Sequence, residues 1–256
     1  MLKLDAYQLK WIAIVAMVLN HIVIAWWAIV PLSLAFPMYA VGGLTFPIMA
    51  FFVVEGYKHT SSLKRYVGRI LVVGLIALPF HFLTLGLAFA PTLNIMFTIA
   101  LSLGVLAMYD KIQRRWLFWT IFVLVIVPIS LFFEWSLSGI LLVLLFYIIK
   151  NEMRRRILPP LIIAVLTFVL TSLGTLVNME VVGMGGLMSE PMFSAVNATF
   201  LIGIVLASWL LAGFTGERGK RMKWLFYAFY PAHLAILAIV ALILGLVDFS
   251  TLEVFL

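Results

Sequence analysis

Long runs of apolar residues joined by short polar connections dominate this chain and decide what it can fold into. Nine such runs can be read, at roughly 9–30, 42–58, 67–88, 94–109, 116–133, 135–150, 157–178, 192–213 and 224–246. At 1.5 Å rise per residue, about twenty residues span a hydrocarbon layer of about 30 Å. The runs are continuous rather than alternating, which points to helices, whose backbone bonds close within each segment, and not to a barrel. Hydrophobic residues make up 65% of the chain and charged residues 11%, against about 45–50% and about 25% in soluble domains. The expected fold is an all-α polytopic membrane protein of about nine transmembrane helices, forming one domain over 1–256 with no soluble domain. The first run is full length and lacks a small-residue cleavage site, so it is expected to remain as an anchor. The absence of cysteine excludes disulfides, thiolate nucleophiles and cysteine-ligated metals.

Charge alternates along the connections. Lys3 and Lys10 precede the first run, and the segment from Pro31 to Pro37 is bare. Lys58, Lys64, Arg65 and Arg69 follow, then a bare loop around Pro91, then Lys111, Arg114 and Arg115, then Glu134 alone. Lys150, Arg154, Arg155 and Arg156 precede Glu180 and Glu190, and Arg218, Lys220, Arg221 and Lys223 precede a tail with Asp248 and Glu253. All 17 basic residues fall on one side, which predicts a cytoplasmic N-terminus and an external C-terminus. The net charge of +7 is accounted for by this sidedness, and no nucleic-acid partner is expected. Pro79, Pro128, Pro159-Pro160 and Pro231 interrupt helical runs, as happens where membrane helices line polar cavities. The glycine-rich loop 179–191 reads as an external connection that could also cap an outward cavity.

Inside the apolar runs, ionisable residues are costly and are functional candidates by default. His21 lies eleven residues after Lys10, His81 twelve after Arg69 and His233 ten after Lys223. Each spacing corresponds to about 15–18 Å from the basic face, near the midplane. Thr98, Asn197 and Tyr230 reach the same layer, while Asn94 should lie further out. Each of these can equally serve as a hydrogen bond between helices. No HExxH-type spacing supports a metal site, and none is expected.

A second constellation covers Phe46 to Thr60 and runs into Lys64, Arg65 and Arg69. Glu55 should sit one turn inside the membrane edge, paired with Lys58, Arg69 or another cation. The cations Lys58, Lys64, Arg65 and Arg69 form a compact patch. It reads either as positive-inside anchoring with contact to anionic membrane lipids, or as a phosphate-binding mouth, since Arg offers planar bidentate donors.

The chain resembles the TraX family of membrane proteins, which is linked to N-terminal acetylation of F-type pilin. The resemblance rests on the MetValLeuAsnHisIle segment (17–22), PheProIleMetAlaPhePheValValGluGlyTyrLysHisThr (46–60), LysArgTyrValGlyArg (64–69), AsnIleMetPheThr (94–98) and PheTyrAlaPheTyrProAlaHis (226–233). That family is in turn similar to the acyltransferase-3 type, in which a first-helix Arg precedes a His by ten intervening residues and PhePhe-x-x-SerGly precedes an Arg-rich run. Here Lys10 takes the Arg place, His21 the His place, and Glu55 stands where that type has Ser. Asn20 replaces the Asp that usually precedes the histidine; it can fix a tautomer but supplies no charge.

The resemblance implies an acyltransferase, by analogy an acetyltransferase, that takes its acyl group from cytoplasmic acetyl-CoA in a bacterial plasma membrane. On this reading His21 is the general base beside Asn20, and His233 or Tyr230 steadies the oxyanion. Lys10, Glu55, Lys58, Lys64, Arg65 and Arg69 bind the donor, and His81, Asn94, Thr98 and Asn197 line the polar cavity. The acceptor stays open between a peptide amine, a glycan hydroxyl and a lipid headgroup. Two other classes fit the same residues: a small-solute transporter or channel along the buried polar groups, and a structural subunit of a conjugation or secretion apparatus in which His21 is dispensable.

Overall fold

The computed structural model describes residues 2–26, 29–86, 92–176, 190–220 and 223–246. They are helical throughout, with two isolated bridges, Leu4 to Phe214 and Leu93 to Phe133, in place of any sheet among the described residues. Helix α1 (Ala6–Ala25) opens with a capping box: Asp5 Oδ1 accepts from the Gln8 amide at 2.8 Å, and Gln8 Oε1 accepts from the Asp5 amide at 3.0 Å. This reciprocal cap satisfies two amides that the helix cannot. It starts the helix ahead of the apolar run and places His21 about one turn from the C-terminal end of α1, not at its middle.

The uncharged segment after α1, read as a loop, is instead helix α2 (Leu32–Gly42), with Pro37 inside it. A proline removes one intrahelical bond and kinks the helix without ending it when the flanking residues are otherwise compatible. α2 bends at Gly43-Leu44 into α3 (Thr45–His59), and together they form one apolar stretch, Leu32–His59, long enough to cross a membrane. α4 (Leu63–His81) is capped by Ser62 and widens into a π-helical segment, Phe82–Gly86, just after Pro79. α5 (Ile95–Lys111) is capped by Asn94. α6 (Arg115–Ile121) passes through a second π segment, Phe122–Ile126, into the short α7 (Val127–Ser130) that carries Pro128. Both π segments lie next to a proline, where the freed carbonyls need a wider turn. α8 (Ser136–Ile148), α9 (Glu152–Leu176), α10 (Glu190–Ala212) and α11 (Lys223–Ile243) complete the bundle. Pro159-Pro160 and Pro231 stay inside continuous helices.

Each of the nine apolar runs contains helix among the described residues. By length and composition, Ala6–Ala25, Leu32–His59, Leu63–Thr84 and Leu225–Ile243 can cross a membrane. The packing is a closed ring. Going round it, α1 touches α2, α2 touches α10, then come α9, α8, α5, α4 and α11, and α11 returns to α1. α3 runs inside this ring against α1, α8 and α10, with Ile48, Ala50, Phe51 and Val54 all at 0% exposure. The outer faces stay apolar: Val123, Leu124, Val165 and Ile236 are exposed. A membrane's acyl chains would cover such faces at no hydrophobic cost. The loop at 179–191, but for its last two residues, and the tail with Asp248 and Glu253 lie outside the described residues.

Candidate active site

On α1, Ala13, Ile14, Met17, Asn20 and His21 fall on one face by helical spacing. On α11, Phe226, Phe229, Tyr230 and His233 do the same. The two stripes meet at a cavity of about 60 Å³, closed by Thr45, Phe46 and Met49 of α3, the start of α5, and Glu134-Trp135. His21 on this lining meets His233, which is outside it; both are 5% exposed. His21 Nδ1 lies 2.7 Å from His233 Nε2, and the rings are parallel within 8° at 5.0 Å between centroids. Phe229 continues the stack beyond His233, 5.2 Å away.

The hydrogen bonds assign the protons. His233 Nδ1 is 3.0 Å from the Phe229 carbonyl oxygen, which can only accept, so in the neutral ring that nitrogen carries the hydrogen. His233 Nε2 is then an acceptor, and His21 Nδ1 donates to it. The lone pair of His21 is left on Nε2, which makes no hydrogen bond among the described residues, on a ring that lines the cavity. This is the orientation a general base needs, with one ring nitrogen anchored and the other free. Asn20 Oδ1 and the Tyr230 hydroxyl are buried and unpartnered, and both residues line the same space. Asn20 has room because Gly42 faces it; a methyl group there would press on Asn20 Cβ and Oδ1.

The other end of the bundle carries the cations. Arg155, 3% exposed, donates to Glu55 at 2.6 Å and to Glu152 at 2.8 Å, and its guanidinium lies over the Phe51 ring. Lys58 reaches Glu55 at 3.7 Å. Partial burial works against the charge of Glu152, but the hydrogen bond and charge of Arg155 outweigh it and hold that carboxyl below its ordinary range. Lys10 lies 4.8 Å from the Phe52 ring centroid and 5.3 Å from that of Phe226, so it stands at the basic side of the cavity. It makes no ion pair among the described residues. Lys64 and Arg65 are exposed on the first turn of α4, and one turn on Arg69 keeps its Nε buried without a partner.

A family model described as TraX protein matches residues 5–241. The chain belongs to the TraX family. It is also 39% identical over 112 residues to the probable fimbrial assembly protein FimC, serogroup H1, of Dichelobacter nodosus. That match covers 39% of this chain and 44% of that protein, so the aligned part is less than half of the relative. No solved structure matches the chain.

In this TraX protein, His21, Asn20 and Tyr230 line one cavity, and His233 joins them through its bond to His21. Lys10 reaches its edge through Phe226, and Glu55 and Lys58 belong to the separate Arg155 network. His81, 3% exposed, bonds the Thr92 carbonyl at 3.1 Å and stays outside the histidine pair. Asn94 caps α5 and donates to the Gly74 carbonyl at 2.9 Å. Thr98 donates to the Glu134 carbonyl at 2.5 Å. These last two brace the start of α5, next to Ile95, Met96 and Ile99 of the cavity lining. The side chain of Asn197 lies outside what is described. Sequence reasoning missed Glu134, read as a lone external acid, and Arg155, read as one more topology-setting cation. The one signal for Glu134 was its place in a very short turn before Trp135.

Proposed function

We propose that this protein is an integral membrane acyltransferase that moves an acyl group, in the simplest case acetyl, from cytoplasmic acyl-CoA to an amine or hydroxyl acceptor at or across the membrane. The observation that carries this reading is the His21–His233 pair, whose hydrogen bonding leaves a free imidazole nitrogen beside an enclosed cavity. In the transfer, the acceptor's nucleophile attacks the thioester carbonyl while His21 Nε2 takes its proton. The C–S bond then breaks, and the proton returns to the thiolate of CoA. His233 holds the His21 tautomer, and the unpartnered Tyr230 hydroxyl is placed to donate to the oxygen that becomes negative.

The cationic donor set suits CoA. Lys10 is without a carboxylate among the described residues, Arg69 Nε is unpartnered, and Lys64 and Arg65 are exposed one turn before Arg69 on α4. The about 16 Å along α1 from Lys10 to His21 is within an extended pantetheine arm of roughly 15–20 Å by bond lengths. The proposed topology has nine spans, a cytoplasmic N-terminus and an external C-terminus, which puts this basic end in the cytosol of a bacterial plasma membrane. Incubation of purified protein with acetyl-CoA and candidate acceptors should release free CoA. His21→Asn, which keeps a polar group in place, should lower that release about 10²–10⁴-fold with CoA binding intact. Release at the wild-type rate from folded His21→Asn would sink the reading.

The name of the fimbrial relative favours a second reading, in which the protein is a structural component of a fimbrial or conjugation apparatus. His21→Asn would then leave pilus assembly unchanged, whereas an acylated surface subunit would lose its modification.

A further inference from the structure

Glu134 is a carboxylate for which the transfer by His21 alone has no use. It is also held with unusual care. Its amide donates to the Leu93 carbonyl at 2.9 Å, its carbonyl accepts from Thr98, and its Oε2 accepts from the Ile95 amide at 2.8 Å, at the start of α5. The two residues after it, Trp135 at φ 63° and Ser136 at φ 42°, are the non-glycine residues at positive φ among the described residues. Side chains avoid that region unless the surroundings hold them there, and such backbone gathers at functional sites. The result is that Oε1, which makes no hydrogen bond among the described residues, belongs to a carboxylate on the wall of the His21 cavity.

Glu134 Oε1, Asn20 Oδ1 and His21 Nε2 are acceptors around that cavity with no hydrogen bond among the described residues, while the Thr45 hydroxyl of the same lining already donates to the Ala13 carbonyl. Tyr230, 2% exposed, adds a hydroxyl without a partner. Phe46 and Trp135, with rings 4.6 Å apart, supply aromatic surface. A group that donates several N–H bonds and carries positive charge satisfies such a lining, through the carboxylate and through aromatic faces. An anion would meet the charge of Glu134. A volume of about 60 Å³ admits about four waters, or a small aminoalkyl head in their place.

We propose that Glu134 holds a positively charged amino group against His21 and takes its first proton. The proposal rests on the acyl-transfer reading for its chemistry, and the proton count is its physical reason. An ammonium must lose two protons to become an amide nitrogen. Glu134 takes one, which frees the nitrogen lone pair to attack the thioester carbon. The C–S bond breaks with its electron pair on sulfur, while His21 takes the second N–H proton and passes it to that thiolate. The proton on Glu134 is the one released to solvent. A hydroxyl acceptor loses a single proton, for which His21 suffices.

Ethylammonium chloride is titrated calorimetrically into the detergent-solubilised full-length protein, with ethanol as the uncharged control. Wild type should bind ethylammonium and Glu134→Gln should bind it at least tenfold more weakly, while Lys150→Gln, outside the cavity lining, binds it as wild type does. Equal binding by wild type and Glu134→Gln, or no binding by wild type, would overturn the proposal whatever the protein catalyses. Charge-selective binding without any CoA release would keep the ammonium site and remove acyl transfer, so the two failures are distinguishable. If Glu134→Gln does not fold, Glu134→Asp, which draws the carboxylate back by one methylene, should weaken binding, and undiminished binding would overturn the proposal. In the transfer assay Glu134→Gln should fail with an alkylamine at pH 7 yet turn over hydroxylamine, which is neutral there; equal loss with both would overturn the proton-accepting role. Transfer to a peptide α-amine or to the ethanolamine headgroup of phosphatidylethanolamine vesicles, lost in Glu134→Gln, would support the proposal and identify the source of the amine.

Discussion

His233 tests the catalytic reading in a way that His21 cannot, because it is argued to act only through another ring. Its Nε2 accepts the His21 proton, so His233→Asn should leave His21 in place but free its tautomer, and turnover should fall about tenfold or more. The pH profile separates this from a packing defect. Neutral imidazole is the active form, so wild-type turnover should rise with pH and then level off, since protonating either ring removes a lone pair from the relay. In His233→Asn the profile should move, not merely shrink; a uniformly lower profile of unchanged shape would reduce His233 to packing. At this scale the sequence was partly readable. The three histidines stood out because ionisable groups are rare in apolar runs, and the spacing Phe226, Phe229, Tyr230, His233 marks one face. Glu134 did not stand out. A carboxylate in a loop is ordinary, and only the fold of Leu93, Thr98 and Ile95 around that turn carries it inward.

Among the elements, the crossing of α10 over the break between α2 and α3 is the tightest. A methyl group on Gly203 would press on the Ala40 carbonyl oxygen and on the backbone of Gly43, and backbone cannot move aside as a side chain can. Gly203→Ala should therefore destabilise the bundle by about 1–3 kcal/mol, the usual cost of overpacking, read as a lower melting temperature in detergent. Gly68→Ala is the control. Its methyl group meets nothing within 4 Å, and replacing a mid-helix glycine should stabilise by about 0.5–1 kcal/mol. If both variants melt alike, the crossing is not close-packed. The helices themselves were legible as apolar runs, but their ends were not. Proline-rich, uncharged 31–37 looked like a connection, because the rule that proline breaks helices is strongest in water. Inside a packed apolar bundle one lost bond in α2 is tolerated.

At the scale of the whole molecule, charge alternation is the strongest sequence signal, and contacts such as Glu55 with Arg155 and Leu4 with Gly213 join the corresponding helix ends. The proposed sidedness predicts that a C-terminal alkaline phosphatase fusion is active and a green fluorescent fusion dark; the reverse would remove the nine-span arrangement. That α3 is the central helix could not be read. In a membrane protein the residues facing lipid and those facing other helices are equally apolar, so buried Leu142 and exposed Leu124 look alike in sequence.

The same gathering of charge at one end makes the cations there seem interchangeable, and their partners show that they are not. Arg155 and Lys58 already satisfy Glu55, and Arg156 is held by the Phe214 carbonyl at 2.7 Å. A phosphate arriving at this end must therefore be met by cations with donors to spare: Lys10, Arg65 exposed on α4, and Arg69 with its unpartnered Nε. A charge-assisted hydrogen bond is worth about 1.5–3 kcal/mol, so Arg69→Gln or Arg65→Gln should weaken CoA binding roughly tenfold or more. Lys150, which rests over the Tyr147 ring, and Arg154 lie on another basic connection, and their Gln variants should bind CoA nearly as wild type does. Calorimetric titration with CoA decides between donor binding and simple anchoring. Equal losses at both connections would show that CoA responds only to net charge, and no loss at either would show that the cations set topology and nothing more.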